Sequence, residues 1–282
     1  MRIDAHHHVW RLGRGDYGWL TPALAPIYRD FDLSDLAPHL AAADITGTIL
    51  VQAAPTEAET HFLLEVAEGA DIVRGVVGWI DFDAPDALAR IDALAAQKLL
   101  VGLRPMVQDI ADDDWLLGPH LAKLLDAMAG HGLVFDALVL PRHLPRLLQV
   151  VRRHPELQFV LDHFGKPHLA TGDIAEWRGD IARLASEPNV VCKLSGLVTE
   201  AAKDWHVSDL RDAVDHALAC FGAQRMLWGS DWPVVNLAGG YDKWFAAAES
   251  LLAELSADDK AAIFGGNAAR VYLAKRGRHA AE

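Results

Sequence analysis

The feature that most constrains this chain is an alternation. Short apolar runs recur along it, separated by longer amphipathic stretches. The runs that predict strands are Arg2–His7, Thr48–Gln52, Gly75–Ile80, Leu100–Arg104, Leu133–Ala137, Gln158–Asp162, Val190–Leu194 and Met226–Ser230. Between them, Asp86–Gln97 carries Leu88, Ile91, Leu94 and Ala95 at helical spacing. Leu121–Gly130 and Leu144–Arg153 repeat the pattern, and Asp209–Phe221 and Lys243–Leu255 are two further helices. Gly130, Gly132 and Pro155 punctuate their ends. Strands alternating with helices indicate βαβ units and a parallel sheet. Eight such units in 282 residues point to α/β class and one closed (β/α)8 barrel over residues 1–282. A doubly wound sheet would place a glycine-rich phosphate loop after its first strand. This chain has His6-His7-His8-Val9-Trp10 there instead.

Composition removes several functions. Hydrophobic residues at 51% and charged residues at 23% leave no room for a disordered chain. The formal charge of -13 opposes binding to a phosphate backbone. No apolar run approaches the ~20 residues that span a bilayer, and no signal-peptide pattern opens the chain. Cys192 and Cys220 are too few to staple a fold of this size, which fits a reduced, cytoplasmic setting. Oligomeric state is not readable.

The 14 histidines are the unusual entry, and position decides which of them matter. His6 and His8, two apart in a strand, project to one side at the strand's C-terminal end. In barrels that end faces the active site. His7 points the other way, and Asp4 is expected deeper on the same face as His6. The sixth strand closes with Asp162-His163-Phe164-Gly165 and the eighth with Gly229-Ser230-Asp231-Trp232-Pro233. Three imidazoles and a carboxylate at strand ends form a constellation that can hold a divalent metal or polarise a carbonyl. Any one of them alone would more readily be a hydrogen-bonded core residue or a cap. His39, His131, His143, His154, His216 and His279 fall on helices or caps and are expected in solvent. His61, His120, His168 and His206 lie in or near connections and are expected to be solvated. His120 is near enough to reach the mouth, and His168 and His206 to touch a ligand.

Arg104 ends the fourth strand with a guanidinium suited to oxygen ligands, or to a salt bridge across the mouth. Gln52 ends the second. Lys193 and Asp136 stay open between inward and outward orientations. The segment Trp10–Phe31 is long, irregular and aromatic, and it lies where a barrel's active-site loops lie.

The motifs Asp4-Ala5-His6-His7-His8, Asp162-His163-Phe164-Gly165-Lys166-Pro167 and Gly229-Ser230-Asp231-Trp232-Pro233 resemble the amidohydrolase superfamily. Val51-Gln52-Ala53, Gly102-Leu103-Arg104-Pro105 and Lys193-Leu194-Ser195-Gly196 narrow the resemblance to its amidohydrolase-related group, which includes sugar lactonases and a pyrone-dicarboxylate lactonase. The resemblance covers essentially the whole chain and implies a distorted (β/α)8 barrel. It implies that His6, His8, His163 and Asp231 surround the reacting carbonyl, with or without one divalent ion such as zinc. The bridging carboxylated lysine or glutamate of binuclear members has no clear match, since the fourth strand offers Arg104 and the fifth Asp136. The further histidine of many members is missing from Val190-Val191-Cys192-Lys193-Leu194-Ser195.

On this reading the substrate is a small sugar lactone. Asp231 activates water and returns the proton to the ring oxygen. His6, His8 and His163 stabilise the oxyanion. Arg104 and Gln52 hold ring substituents, and Trp10, Tyr17, Trp19 and Trp232 stack on the sugar or fill the core. A dicarboxylate lactone would need more cations than Arg104, with Arg11 and Arg14 as reserves. A metal-dependent decarboxylase and a non-catalytic metal-binding barrel are the rivals.

Overall fold

A computed structural model describes residues 1–274; the tail Arg276–Glu282, with His279, lies outside the described residues. The strands are β1 Ile3–His7, β2 Gly47–Val51, β3 Val73–Gly78, β4 Leu100–Leu103, β5 Val134–Ala137, β6 Phe159–Leu161, β7 Val190–Leu194 and β8 Met226–Trp228. They form one sheet in the order β1 to β8, every neighbouring pair parallel. The chain leaving β8 closes the ring onto β1: Asp231 N donates to His6 O at 2.8 Å and His8 N to Trp232 O at 2.7 Å. The result is the expected (β/α)8 barrel.

The helices are α1 Leu33–Ala42, α2 Glu57–Glu68, α3 Ala87–Ala95, α4 Leu121–Gly130, α5 Leu144–Arg153, α6 Ala175–Ala185, a short α7 Leu197–Glu200, α8 Val207–Phe221, α9 Tyr241–Leu251 and α10 Ala257–Ala261. None of the described helices is long and apolar enough to cross a membrane. α4 and α5 coincide with the expected spans, because their leucine stripes lie between strong terminators. α3, α8 and α9 differ from expectation only at their ends. The third strand lies two residues earlier than its apolar run suggested. Thr60 Oγ1 takes both Trp79 N and Trp79 O at 2.8 Å, which pulls Trp79 and Ile80 out of the ladder.

The barrel interior has two levels. Ile3, Ala5, Ile49, Val51, Val77, Val101, Val134, Val160, Val191 and Leu227 fill the lower one, and Ala268, Val271 and Tyr272 of the C-terminal segment plug it from below. Side chains of this kind, one or two per strand, make the barrel a packed core. Charged groups occupy the level above and open towards the strand C-termini.

β1 departs from simple alternation. Its register slips between Asp4 and His7, a β-bulge. Ile3 and Ala5 therefore face the interior, and beyond the bulge so do His6 and His8. Asp4 does not share their face. Its Oδ1 accepts from Ser230 N at 2.8 Å and His6 N at 3.2 Å, and α9 brings Tyr241 beside it. Asp4 thus ties β1 to the β8 loop and orients no imidazole.

Candidate active site

Three strand ends meet at one point. From β1, His6 Nε2 and His8 Nε2 lie 3.3 Å apart. The loop after β8 brings Asp231 Oδ1 to 3.3 Å from His8 Nε2 and 3.7 Å from His6 Nε2. After β6, His163 Nε2 lies 4.0 Å from the same oxygen. The backbone makes this possible locally. Asp231 has φ +58°, and His163, Phe164, Gly165 and Lys166 are all left-handed. That turn swings the imidazole back over the barrel, and Trp177 Nε1 holds it by donating to Phe164 O at 2.6 Å.

Each imidazole is anchored by its other nitrogen. His8 Nδ1 donates to Val51 O at 2.8 Å, and His163 Nδ1 is hydrogen-bonded to Ser195 Oγ at 2.8 Å. His6 Nδ1 faces the Lys193 ammonium at 3.2 Å and Asp162 Oδ1 at 3.5 Å. Second-layer partners of this kind fix ring orientation at metal sites. Ligand atoms about 2.0–2.1 Å from a tetrahedral ion stand roughly 3.3–3.5 Å apart. His6, His163 and Asp231 offer donor atoms all within 4.8 Å of one another, and His8 Nε2 lies beside them. The donor set and its spacing fit one divalent ion.

The electrostatics agree. Burial, reinforced by Lys193, holds His6 well below its ordinary pKa, and burial lowers His163 to about 4. Both are neutral at pH 7. Burial would raise the Asp231 carboxyl, but His163, the His8 hydrogen bond and His6 outweigh it and keep it ionised.

Lys193 and Asp136, open from the sequence, both point inward. Lys193 Nζ donates to Asp136 Oδ2 at 2.7 Å and sits 2.8 Å from Asp162 Oδ1. Tyr272 OH donates to Asp136 at 2.8 Å. Arg104 is buried at the mouth, its Nη1 3.4 Å from both His6 Nε2 and Asp162 Oδ2. Gln52 is fully buried and gives its amide to Arg104 O at 2.8 Å, while Arg104 Nη2 returns a bond to Gln52 O. Gln52 therefore holds Arg104 and does not reach the chamber.

A chamber of about 280 Å³ opens above this floor. His8, Arg104, His163 and Asp231 line it, together with Trp19. Of the expected stacking residues, Trp10 and Trp232 do not. Both are enclosed, with Phe31 edge-on to each at 5.7 and 5.2 Å between centroids. The Trp10–Phe31 loop folds on its own aromatic cluster, and Tyr17 is buried with it. Arg11 and Arg14 sit over Phe62, and Arg14 pairs with Asp16 at 2.8 Å, so neither serves the chamber. Residues missed from the sequence are Lys166 and Glu200, which line the wall and pair at 3.5 Å, and Gln108 and Asp109. Only Lys166 had a signal, its place directly after the His163 turn.

The other histidines are mostly surface groups as expected. His120 pairs with Asp83 at 2.9 Å, and His61, His168 and His206 are exposed. His154 and His216 are partly enclosed, the first with its side chain 10% exposed, and His143 departs furthest from expectation. It is fully buried, accepting from Leu140 N at 3.1 Å with Asp113 3.3 Å away, because it folds back under the start of α5.

A family model described as Amidohydrolase matches residues 3–273. The chain belongs to the amidohydrolase family. This amidohydrolase is 46% identical over 280 residues to an L-fucono-1,5-lactonase of Burkholderia ambifaria, covering 98% of this chain and 97% of that one. It is 40% identical over 290 residues to an L-fucono-1,5-lactonase of Burkholderia multivorans, covering 96% of each. A solved amidohydrolase of Burkholderia multivorans with bound Zn superposes at a TM-score of 0.91, with 40% identity, 96% of this chain and 99% of that one covered.

Proposed function

We propose that this amidohydrolase opens a sugar-acid lactone, an aldonolactone of the L-fuconolactone kind, to the free acid. The observation that carries the reading is its full-length likeness to lactonases, at 46% identity for one of them. The site chemistry supports it. Asp231, ionised on the chamber floor, takes a proton from water as the water oxygen bonds to the lactone carbonyl carbon. The ring C–O bond then breaks, and Asp231 returns the proton to the departing oxygen. His6, His8 and His163 would hold one divalent ion with Asp231. When bound, that ion supplies Lewis-acid polarisation of the carbonyl.

Arg104 is assigned the ring substituents, with Gln52 positioning it. Trp19 takes the sugar face in place of Trp10 and Trp232. The charge of the chamber supports a neutral substrate, since Arg104 and Lys166 are its lining cations and Glu200 offsets Lys166. The unpaired Cys192 and Cys220 support a reducing, cytoplasmic setting.

The test is a panel of aldonolactones and a pyrone dicarboxylate, assayed by proton release alongside metal analysis of the purified protein. The expected outcome is turnover of neutral aldonolactones and one divalent ion per chain. Preference for the dicarboxylate would overturn the neutral substrate. A tightly held ion with no lactone turnover would overturn the enzyme reading. Activity surviving complete chelation would leave the imidazoles as direct hydrogen-bond donors.

A further inference from the structure

Beside the reaction chamber lies a second cavity of about 470 Å³ that the proposed chemistry leaves unused. The two share Trp19, Met106 and Asp109. The chemistry stands over β1, β6 and β8. The second cavity stands over the ends of β2, β3 and β4, walled by Pro55, by the segment from Trp79 to Asp83 and by Pro105 and Ile110.

We propose that this cavity is a subsite for a neutral glycosyl group carried on the lactone, so that the enzyme accepts glycosylated aldonolactones. The inference rests on the lactonase reading. Its first support is continuity: a substituent on a lactone seated over Asp231 passes Trp19 and Met106 directly into the second cavity. Its second is the wall. Trp19, Trp79, Phe82 and Trp115 present aromatic surface, and the apolar C–H face of a pyranose packs on such rings. Trp79 is half-buried, and both of its backbone polar groups are clamped by Thr60 Oγ1, which fixes the main chain at this wall.

Charge is the third support. The ionisable lining groups are Asp16, Asp81, Asp83 and Asp109, and no lysine, arginine or histidine lines the cavity among the described residues. Asp83 is committed to Trp115 Nε1 at 3.0 Å and to His120. Among the described residues, Asp81 uses only Oδ1, for Asp83 N at 3.0 Å, and Asp109 uses only Oδ2, for Gln108 Nε2 at 3.3 Å. Each keeps one oxygen free to accept from a hydroxyl. Such a wall repels an anion and suits a neutral polyol. A volume of about 470 Å³ lies within the roughly 300–1,000 Å³ of small-molecule sites, whereas the chamber of about 280 Å³ suits the lactone ring alone.

The test compares L-fuconolactone with its mono-galactosylated derivatives by proton release, in wild type, Trp79→Ala and Asp81→Asn. Expected is a KM about 2- to 10-fold lower for one derivative than for the parent, lost in Trp79→Ala and reduced in Asp81→Asn. The parent's kcat and KM should stay unchanged in both variants. Turnover of the parent with no gain from any derivative would overturn the subsite alone. A gain that persists in both variants would also overturn it. Failure of every lactone would overturn the lactonase reading and the subsite with it.

Discussion

Asp231 combines a left-handed backbone, near-complete burial and contact with His6 and His8, with His163 at its edge. Replacing it with asparagine removes the carboxylate that the proposed mechanism uses as base, while keeping the shape. Asp231→Asn should lower kcat by about 10²–10⁴-fold with little change in melting temperature. Wild-type turnover would remove Asp231 from the base role. His7 makes a different prediction. It is fully buried on the outer face of β1, and neither ring nitrogen has a hydrogen-bond partner among the described residues. Burial lowers its pKa to about 3, against 6.5 for the unfolded chain. A depressed histidine favours the folded state above 6.5, and that contribution is lost as pH falls towards 3. Leucine removes two buried ring nitrogens that lack partners, so His7→Leu should be more stable than wild type at pH 7; as His7 loses its linkage contribution on acidification, that advantage should grow by about 2 kcal/mol by pH 5. Urea denaturation at the two pH values checks this; a constant gap would contradict it.

At the scale of elements, the site is made by departures from regular structure. The bulge in β1 turns His6 inward, and the left-handed turn after β6 carries His163 over the barrel. Gly196, between β7 and α7, leaves room for that ring. Its φ is +63°, and a Cβ there would lie 2.5 Å from His163 Nδ1. Gly15 has φ +77° with nothing within 4 Å of a Cβ. Both alanine variants meet the left-handed penalty of about 1–2 kcal/mol. Gly196→Ala alone should also displace His163 and lower kcat. Parallel stability and rate measurements on the two variants separate these effects, and equal rates would show that Gly196 does not position the ring.

Across the whole molecule, a buried chain of contacts joins the C-terminal plug to the active site. Tyr272 holds Asp136, Asp136 holds Lys193, and Lys193 stands against Asp162 and His6. Burial alone would lower the Lys193 pKa, but Asp136 and Asp162 outweigh it and keep it charged. Lys193→Met should cost about 3–5 kcal/mol, because two buried carboxylates lose their cation. Adding Asp136→Leu should recover part of that loss in a double-mutant cycle; strict additivity would mean the pair is not coupled. This network was not legible in advance. Lys193 and Asp136 sit on strands whose inward face depends on register, and register is fixed only when eight strands close into a ring. Nor were Lys166, Glu200, Gln108 and Asp109 legible as one wall, since they come from loops with no periodicity. The amino-acid sequence by itself determined the eight-unit alternation, helices α4 and α5, strand β7, and the placing of His6, His8, His163 and Asp231 at strand ends, because apolar spacing and strand parity are local. Tertiary structure alone decided that Asp4 leaves the face of His6, that Trp10 and Trp232 are core, and that Gln52 serves Arg104. Those outcomes depend on a bulge, a folded loop and a neighbouring strand, and local pattern carries none of them.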